Sequence, residues 1–425
     1  MKYEECAGLI AQLQQVIANP PQEQDFRLRI YEAAAKLTRA LEPPTQTIHR
    51  VVYSPLELHV ARMALDMGLF EVLARLGELS MKLDYLSRLC HADEQLLGRI
   101  LRFCASHGMI EEVGTGAWRA NNATKALATP EAKVGISHNH DVVAPCWQQL
   151  PRFVRETGNQ NPNNPEGCAF HLGHRTVLPQ IYYLRASRQL DNYYAWTAYT
   201  RKEQDLTFLD TLDFDNEYRR PCAPDGFLFV HVAATMSTQC NALKQRHPRI
   251  AGNIVLQSLP IMLPRIKLRE GVSKMAHDAR TPQPITGMFE RLALVSTAPD
   301  KCDIGARFYY FRQVGSNLSA AEFAVILKRT MDAMDRDSLI LIDDMVIPDQ
   351  GSHWIATQID MAAMAFSATH ERSRLDWEYY LSKLGLRIVK VGVYNRERRD
   401  AVIIAAPIEQ QCSNGRNDTK ALVVV

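Results

Sequence analysis

Residues 227–260 read FLFVHVAATMSTQCNALKQRHPRIAGNIVLQSLP and decide the fold. The stretch opens and closes with short apolar runs, at 227–234 and 254–256, and a segment compatible with a helix lies between them. Short apolar runs that alternate with helical segments are typical of a parallel sheet covered on both faces. The stretch therefore predicts the first strand, helix and strand of an α/β domain.

The same alternation continues to the end of the domain. Further apolar runs occur at 292–295, 308–311, 339–346, 386–393 and 401–405. Seven strands with intervening helices predict one doubly wound sheet, in a domain that spans residues 221–410. Residues 411–425 are predicted to form a polar tail.

The first 125 residues have a different, mainly helical pattern. Apolar residues recur at helical spacing up to His107, and Gly108 then suits the end of a helix. A hairpin turn at 113–116 follows, so the order is three helices and a hairpin, which predicts a winged-helix domain at 1–125. Because its last helix carries few cations, we expect that domain to pack on a second copy of the chain rather than on DNA. Residues 126–220 are predicted to be connecting helices that close a pocket.

The composition excludes several classes of function. The chain has 425 residues, 46% of them hydrophobic and 23% charged, with 49 Lys and Arg against 47 Asp and Glu. This balance gives no field to attract nucleic acid or an anionic membrane, so we expect a small, largely uncharged partner. The nine cysteines form no CxxC pair, which predicts neither a disulfide framework nor a zinc site. With an acidic N-terminus and no apolar run long enough for a bilayer, the chain is predicted to be a cytoplasmic protein.

Several motifs resemble one enzyme family. They are DEQLLGRILR at 93–102, HPRIAG at 247–252, ARFYYFR at 306–312, LIDDMVIPD at 341–349 and ERS at 371–373. Together they are similar to class I O-methyltransferases of plants and fungi, which methylate small phenols and polyketides with S-adenosylmethionine. The resemblance covers residues 50–406. It implies a Rossmann-like, seven-stranded methyltransferase fold, an N-terminal winged-helix dimerisation domain and a homodimer.

The chain departs from this family in the loop that follows the first strand. The family has a pattern like VDVGGGxG, whereas residues 230–237 read VHVAATMS, with His231 at the acidic position. A β-carbon at a position that needs positive φ costs about 1–2 kcal/mol. The altered loop residues are Ala233, Ala234, Thr235 and Ser237. We expect their side chains to fill the space of the cofactor, although capping of the next helix is an alternative role for the two hydroxyls.

Two further requirements of methyl transfer are also changed. Ser258 stands where the family's VLQDLP has a carboxylate for the ribose hydroxyls, and a lost hydrogen bond to a charged group costs about 1.5–3 kcal/mol. Ser316 stands at the position of the histidine base in LHDW, and a positioned base is worth about 10² to 10⁴ in rate. The sequence therefore predicts that S-adenosylmethionine binding and methyl transfer are lost and that the protein has no cofactor.

The altered motifs resemble those of fungal O-methyltransferase-like pericyclases. These enzymes dehydrate a polyketide or pyridone alcohol and direct Alder-ene or hetero-Diels-Alder closure of the product. Such chemistry requires shape and a few hydrogen bonds. The candidate catalytic residues are His138, Thr235, Arg312, Asp344 and Glu371. The candidate substrate-binding residues are His140, Trp147, Phe170, Ser316, Met361 and Met364.

Alternatives remain open for the residues and for the whole chain. The two histidines at 138 and 140 could be polar surface residues, Arg312 could pair with a core carboxylate, and the methionines could be ordinary core. His171 and His174 have metal-ligand spacing but no third ligand nearby in the sequence, so no metal site is predicted. The protein could also be a methyltransferase with a remodelled loop, or an inactive partner that dimerises with an active relative.

Overall fold

The computed structural model describes residues 3–200, 207–212, 226–286, 305–316 and 318–408. It divides into two compact units, Met1–Thr129 and Pro130–Val425. The predicted strand at 292–295, the predicted boundary at 220 and the predicted tail at 411–425 lie outside the described residues.

The first unit is mainly helical. Its three short strands form an antiparallel sheet in the order β1, β3, β2. Its elements are α1 (Tyr3–Ala18), α2 (Gln24–Leu41), α3 (Pro44–Tyr53), α4 (Pro55–Asp66), α5 (Leu69–Leu76), β1 (Met81–Lys82), α6 (Leu83–Cys90), α7 (Glu94–Ser106), β2 (Glu111–Gly114), β3 (Ala117–Arg119) and α8 (Asn122–Leu127).

Local sequence signals explain the boundaries in this unit. Helices α4 and α5 are separate because Gly68 adopts a left-handed conformation (φ +67°) between them. The side chain of Asp93 accepts a hydrogen bond from the Leu96 amide and so caps α7. Strands β2 and β3 form the hairpin predicted around 113–116. Among the described residues, no helix is both long and apolar enough to cross a membrane.

The second unit is the predicted α/β domain together with its connecting helices. A π-helical turn, Asn139–Val143, separates α9 from α10. Its elements are α9 (Pro130–His138), α10 (Ala144–Glu156), α11 (Ala169–His174), α12 (Gln180–Ala186), α13 (Leu190–Thr200), β4 (Phe227–His231), α14 (Thr238–Arg246), β5 (Asn253–Ser258), β6 (Val272–Ala276), β7 (Phe308–Arg312), α15 (Ala320–Met331), β8 (Leu339–Ile347), α16 (Trp354–Ser367), β9 (Arg372–Ser373), α17 (Arg374–Lys383), β10 (Leu386–Val393) and β11 (Asp400–Pro407).

The sheet has the order β10, β11, β8, β7, β4, β5, β6, and the short strand β9 pairs with β8. Strands β4 to β8 are parallel to their neighbours in this order, and β11 is antiparallel to both β8 and β10. Strand β10 therefore runs parallel to β8, so the turn from β10 to β11 lies at the carboxyl edge of the parallel strands. This arrangement confirms the predicted fold class.

Alternating residues of the strands build two cores, one on each face of the sheet. Tyr309 and Phe311 belong to the core that α15 and α17 cover, whereas Phe308 and Tyr310 belong to the core that α14 covers. The sheet is thus buried on both faces, as its long apolar runs indicate. Polar side chains of the central strands can reach a ligand only at the strand ends, and the carboxyl edge is where open α/β sheets bind ligands.

Candidate functional site

A cavity of about 1690 Å³ lies within the second unit, at the carboxyl edge of the sheet. The ends of β4, β7 and β8 form its floor. Helices α10, α12, α13 and α16, together with the turn between β10 and β11, supply its walls. A cavity of this size, with apolar walls and few polar groups, suits a drug-sized organic molecule.

Eight of the predicted residues line this cavity, and seven do not. The lining residues are His138, Trp147, Thr235, Ser237, Ser316, Asp344, Met361 and Glu371. The residues outside the lining are His140, Phe170, Ala233, Ala234, Ser258, Arg312 and Met364.

Asp344 is a buried carboxyl group in the cavity wall. It is 2% exposed, and its burial within β8 raises its pKa from 3.8 to about 6. The Ser316 amide donates to Oδ2 over 3.1 Å, and the Met345 amide donates to Oδ1 over 3.0 Å. Each oxygen keeps a free lone pair direction, so Asp344 can accept a proton or a hydrogen bond from a ligand.

A buried arginine fixes the loop that holds Asp344. Nη1 of Arg372 donates to the carbonyl oxygen of Gly315 over 2.9 Å, and the guanidinium lies 5.0 Å from the ring centroids of Trp377 and Tyr380. A β-carbon at Gly315 would meet Trp377 at 2.7 Å, which explains the glycine there. The neighbouring Glu371 lines the cavity, and its amide donates to Oδ1 of Asp360 over 2.7 Å.

The two predicted histidines of α9 and the π-turn have different surroundings. His138 is 4% exposed and lines the cavity, and burial lowers its pKa to about 4. Its Nδ1 is buried and has no hydrogen-bond partner in the part of the chain that the structure describes. His140 instead pairs through Nδ1 with Oδ1 of Asp141, at 2.7 Å, on a partly exposed surface. Of the two, His138 is therefore the one that can offer a polar atom to the cavity.

Arg312 belongs to a network beneath the cavity rather than to its wall. Its Nη1 donates to Oδ2 of Asp343 and, over 3.0 Å, to the hydroxyl of Tyr394. Tyr394 in turn donates to Oδ1 of Asp343 over 2.6 Å, and Tyr310 donates to the same carboxylate. The side chains of Arg312 and Asp343 are 7% and 1% exposed. Arg312 therefore pairs with a core carboxylate, Asp343, which is the alternative that the sequence left open.

The predicted apolar wall is divided between cavity and core. Trp147 and Met361 line the cavity, whereas Phe170 is fully buried in a core cluster against which Met364 packs. His171 and His174 make local contacts instead of a metal site: Nδ1 of His171 accepts from the Cys168 amide over 3.3 Å, and Nε2 of His174 lies 2.8 Å from the carbonyl oxygen of Val142.

The loop after β4 keeps a left-handed turn although it has lost its glycines. Ala233 has φ +54°, and Thr235, Ser237 and the adjacent Thr238 line the cavity. The Ser237 hydroxyl makes no capping bond to α14, so it is not the cap that the sequence allowed. Ser258 is 2% exposed, and its Oγ donates to the carbonyl oxygen of Ala234 over 2.6 Å. This hydrogen bond stabilises the loop after β4, and it uses the hydroxyl hydrogen of Ser258, which is not a carboxylate that could accept from the ribose hydroxyls.

The charges of the cavity suit a cationic ligand. Among its described lining residues, four carboxylates (Asp344, Glu371, Glu397 and Asp400) face two cations (Lys267 and Arg398). An excess of carboxylates in a partly desolvated cavity attracts positive charge. Together with the hydroxyls of the loop after β4, these groups fit a nucleoside that carries a sulfonium and an ammonium group, although the usual ribose carboxylate is missing.

Two groups of residues in this site were not named from the sequence. One is the aromatic residues of α13, including Tyr193 and Trp196, which line the cavity; the helix itself lies in the segment predicted to close a pocket. The other is the charged turn at 394–399, which contributes Glu397 and Arg398. The turn follows the apolar strand β10, and this position was the available signal. Because β10 is parallel to β8, the end of β10 lies at the same carboxyl edge of the sheet as the cavity.

No family model matches the chain. It is 30% identical over 383 residues to the methyltransferase cfoC of Aspergillus candidus, and the aligned region covers 87% of this chain and 88% of that protein. It is 30% identical over 387 residues to the 16-O-methyltransferase bsc6 of Alternaria brassicicola, with 90% and 91% covered.

Solved structures of similar fold add a second kind of evidence. LepI in complex with SAM has 26% identity and a TM-score of 0.78, over 96% of this chain and 100% of that one. A LepI variant in complex with SAH and a substrate analogue has 25% identity and the same TM-score and coverage. A pericyclic reaction enzyme, at 24% identity and a TM-score of 0.75, shows the fold alone, again over 96% and 100% of the two chains.

These complexes contradict the prediction that S-adenosylmethionine binding is lost. Both LepI structures contain the cofactor or its product, as SAM or SAH. The physical reason for the error is visible in the loop after β4, where Ala233 adopts the left-handed turn that was expected to require glycine. Glycine is therefore not necessary for that turn, and its replacement does not exclude the cofactor. From the identity and coverage of its relatives, the chain belongs to the fungal class I O-methyltransferase family.

Proposed function

We propose that this protein is a pericyclase of the O-methyltransferase fold. In this proposal it dehydrates an apolar polyketide or pyridone alcohol and directs the Alder-ene or hetero-Diels-Alder closure of the product. One observation carries the proposal: Ser316 occupies the position of the family's histidine base, and its amide instead holds the perturbed carboxylate of Asp344 in the cavity wall. The site keeps an acid and base group but lacks the histidine that methyl transfer to a hydroxyl uses.

The dehydration step needs one proton removed and one supplied. Asp344, with a pKa of about 6, is largely ionised at neutral pH and accepts a proton from the substrate. The electron pair left on the substrate by this deprotonation forms the new double bond, and protonated Asp344 returns its proton to the leaving hydroxyl. The hydroxyl leaves as water together with the two electrons of the broken C–O bond. His138 is neutral because burial lowers its pKa to about 4, so its imidazole N–H can hydrogen-bond the substrate without carrying charge.

The closure step depends more on holding the substrate in a folded conformation than on acid or base groups of the protein. Aromatic side chains surround the cavity, among them Trp147, Tyr193, Trp196 and Phe366. Flat apolar walls of this kind hold a conjugated chain in one conformation, and restricting conformers lowers the barrier of an intramolecular reaction. No bond to the protein forms or breaks in this step.

We also propose that S-adenosylmethionine binds in this cavity. Thr235, Ser237 and Thr238 would hold its polar groups, and Asp344, Glu371, Glu397 and Asp400 favour its positive charge. When bound, the cofactor supplies a sulfonium cation that stabilises negative charge on the substrate.

The decisive experiment compares three ligands in one assay. The purified protein is incubated with a pyridone alcohol, and dehydrated, cyclised and methylated products are separated by mass. We expect cyclisation to be faster with S-adenosylmethionine or sinefungin, which are cationic, than with neutral S-adenosylhomocysteine, and the methyl donor to remain unconsumed. Formation of S-adenosylhomocysteine in step with a methylated product would contradict the proposal.

Methyl transfer remains the second candidate, because the relatives at 30% identity are named methyltransferases. In that case His138 would have to take the part of the missing base. The same assay separates the two functions by the mass of the product. Absence of both products with every ligand would instead favour an inactive dimer partner.

A further inference from the structure

The turn between β10 and β11 places an arginine in the cavity wall. Arg398 lines the cavity and is 6% exposed. The turn is fixed at both ends: Oδ1 of Asn395 accepts from the Arg398 amide over 3.0 Å, and the Val346 amide donates to the carbonyl oxygen of Arg399 over 2.9 Å. The arginine is therefore held near the end of β8, two residues before Asp400, which pairs with Met345 in the sheet.

One part of its guanidinium is already paired. Nη2 of Arg398 donates to Oδ1 of Asp400 over 3.4 Å, and Nε lies 3.3 Å from Oδ2 of the same carboxylate. The carboxylate of Asp400 thus forms an ion pair with the arginine and accepts one hydrogen bond from it, through Nη2.

Two nitrogens of this guanidinium make no hydrogen bond. Nε and Nη1 of Arg398 are both buried without a hydrogen-bond partner in the part of the chain that the structure describes, and of the two Nε has the Asp400 carboxylate 3.3 Å away. A buried donor without a partner is costly, and native proteins satisfy nearly all such groups. Because the side chain forms part of the cavity wall, a ligand in the cavity is the natural source of the missing acceptor.

The charge of the cavity restricts what that acceptor can be. Asp400 faces Nε and Nη2 of the guanidinium, so the N–H groups of Nη1 are the donors left for a ligand. The excess of carboxylates around the cavity disfavours an anion, so a neutral carbonyl oxygen fits better than a phenolate.

We infer that Arg398 binds the carbonyl oxygen of the substrate through Nη1, after a rotation of its guanidinium toward the cavity. A hydrogen bond from a cation draws electron density into the carbonyl, which activates a conjugated alkene. The inference rests on the proposed function in one respect, that the cavity is the substrate site. It holds equally whether the enzyme methylates or cyclises that substrate.

The test uses binding rather than turnover. Flavanone and flavan share one ring skeleton and differ by a single carbonyl group, so their dissociation constants isolate the carbonyl contact. We expect flavanone to bind the full-length protein more tightly than flavan. In Arg398→Met the flavanone affinity should fall about 10- to 100-fold, the usual value of a hydrogen bond to a charged group, while flavan affinity stays constant.

Two further variants keep the test decisive. Arg396→Met removes an exposed arginine of the same turn and should change neither affinity. If Arg398→Met unfolds because Asp400 loses its partner, the double variant Arg398→Met with Asp400→Asn removes both charges and takes its place. The infrared carbonyl band of bound ¹³C-labelled flavanone should lie lower in the wild type than in either Arg398 variant.

Several outcomes would overturn the inference. They are equal affinities of the wild type for the two probes, no measurable flavanone binding, a carbonyl band unaffected by Arg398→Met, or an equal loss of both probes in that variant. Failure of the proposed function looks different: the carbonyl contact would be present, yet no substrate would be cyclised.

Discussion

The backbone amide of Ser316 lies 3.1 Å from Oδ2 of Asp344 and donates a hydrogen bond to it. The residue at the family's base position therefore contacts this carboxylate through its main chain, and a side-chain hydrogen bond from Ser316 also favours the ionised form. Asp344 is buried within β8, and burial raises its pKa to about 6. In the proposed mechanism this carboxylate is the general base, and the first two predictions concern its replacement.

Asp344→Asn should abolish most of the dehydration activity. The amide keeps the size of the side chain but cannot accept a proton, and a positioned base is worth about 10² to 10⁴ in rate. The rate of product formation from the pyridone alcohol measures the effect. Asp349→Asn, an exposed change just beyond β8, is the control and should leave the rate unchanged. A decrease of less than threefold in Asp344→Asn would remove this carboxylate from the mechanism.

The same residue predicts a pH dependence of stability. Between pH 3.8 and about 6 the folded chain keeps a proton on Asp344 that the unfolded chain has released. Stability from this group is therefore present below pH 3.8 and is lost as the pH rises through 6, by at most about 3 kcal/mol. Urea unfolding of the wild type and of Asp344→Asn at pH 4 and pH 7 should show that the variant gains relative stability at the higher pH. Parallel behaviour of the two proteins would contradict the raised pKa.

His138 and His140 provide a matched pair. His138 lines the cavity and its Nδ1 has no partner among the described residues, whereas His140 pairs with Asp141 outside the cavity lining. We expect His138→Leu to reduce the rate about tenfold, the value of one neutral hydrogen bond at its upper range, and His140→Leu to have little effect. Steady-state kinetics of the two variants decide this, and equal effects would show that neither imidazole has a specific role.

Arg312 should matter for the fold more than for the substrate. Its guanidinium lies in a buried network with Asp343 and Tyr394, and removal of one partner of a buried ion pair costs about 3–5 kcal/mol. Arg312→Met should therefore lower the midpoint of urea unfolding strongly while KM changes less than threefold in the protein that remains folded. An increase in KM without loss of stability would instead place Arg312 at the substrate.

The sequence predicted the sheet because short apolar runs alternate with helical segments. It missed β6 (Val272–Ala276), which lies at the edge of the sheet and carries two consecutive exposed polar residues, Ser273 and Lys274. Asp344 was predicted for the site because it stands where the family has a glutamate. Arg312 was predicted because it ends a central strand, but strand alternation places it on the face of Tyr310, where a buried carboxylate binds it.

Arg398 could not be predicted in this way. Residues 395–400 read NRERRD, which resembles an exposed charged turn. Only the sheet order, with β10 parallel to β8, brings that turn to the carboxyl edge. The prediction that cofactor binding is lost was wrong because it treated glycine as necessary for the left-handed turn after β4. Ala233 adopts that turn without glycine.

Ser258 gives the last prediction, which concerns the cofactor loop. Its Oγ donates to the carbonyl oxygen of Ala234 over 2.6 Å, and the residue is 2% exposed. Ser258→Asp restores the carboxylate of the family motif, but places it against that carbonyl oxygen in a buried site. A lost donor and an unpaired buried group each cost about 1–3 kcal/mol, so we expect this variant to be less stable and to bind S-adenosylmethionine more weakly than the wild type.

Calorimetric titration with S-adenosylmethionine and urea unfolding measure the two effects. Ser258→Ala is the matched control, because it removes the hydrogen bond without adding charge, and it should be impaired to a smaller degree. Addition of Ser316→His to Ser258→Asp should not produce methyl transfer, since the loop after β4 would have lost its internal support. Tighter cofactor binding by Ser258→Asp would show instead that the side chain at 258 can turn from the loop to the ribose.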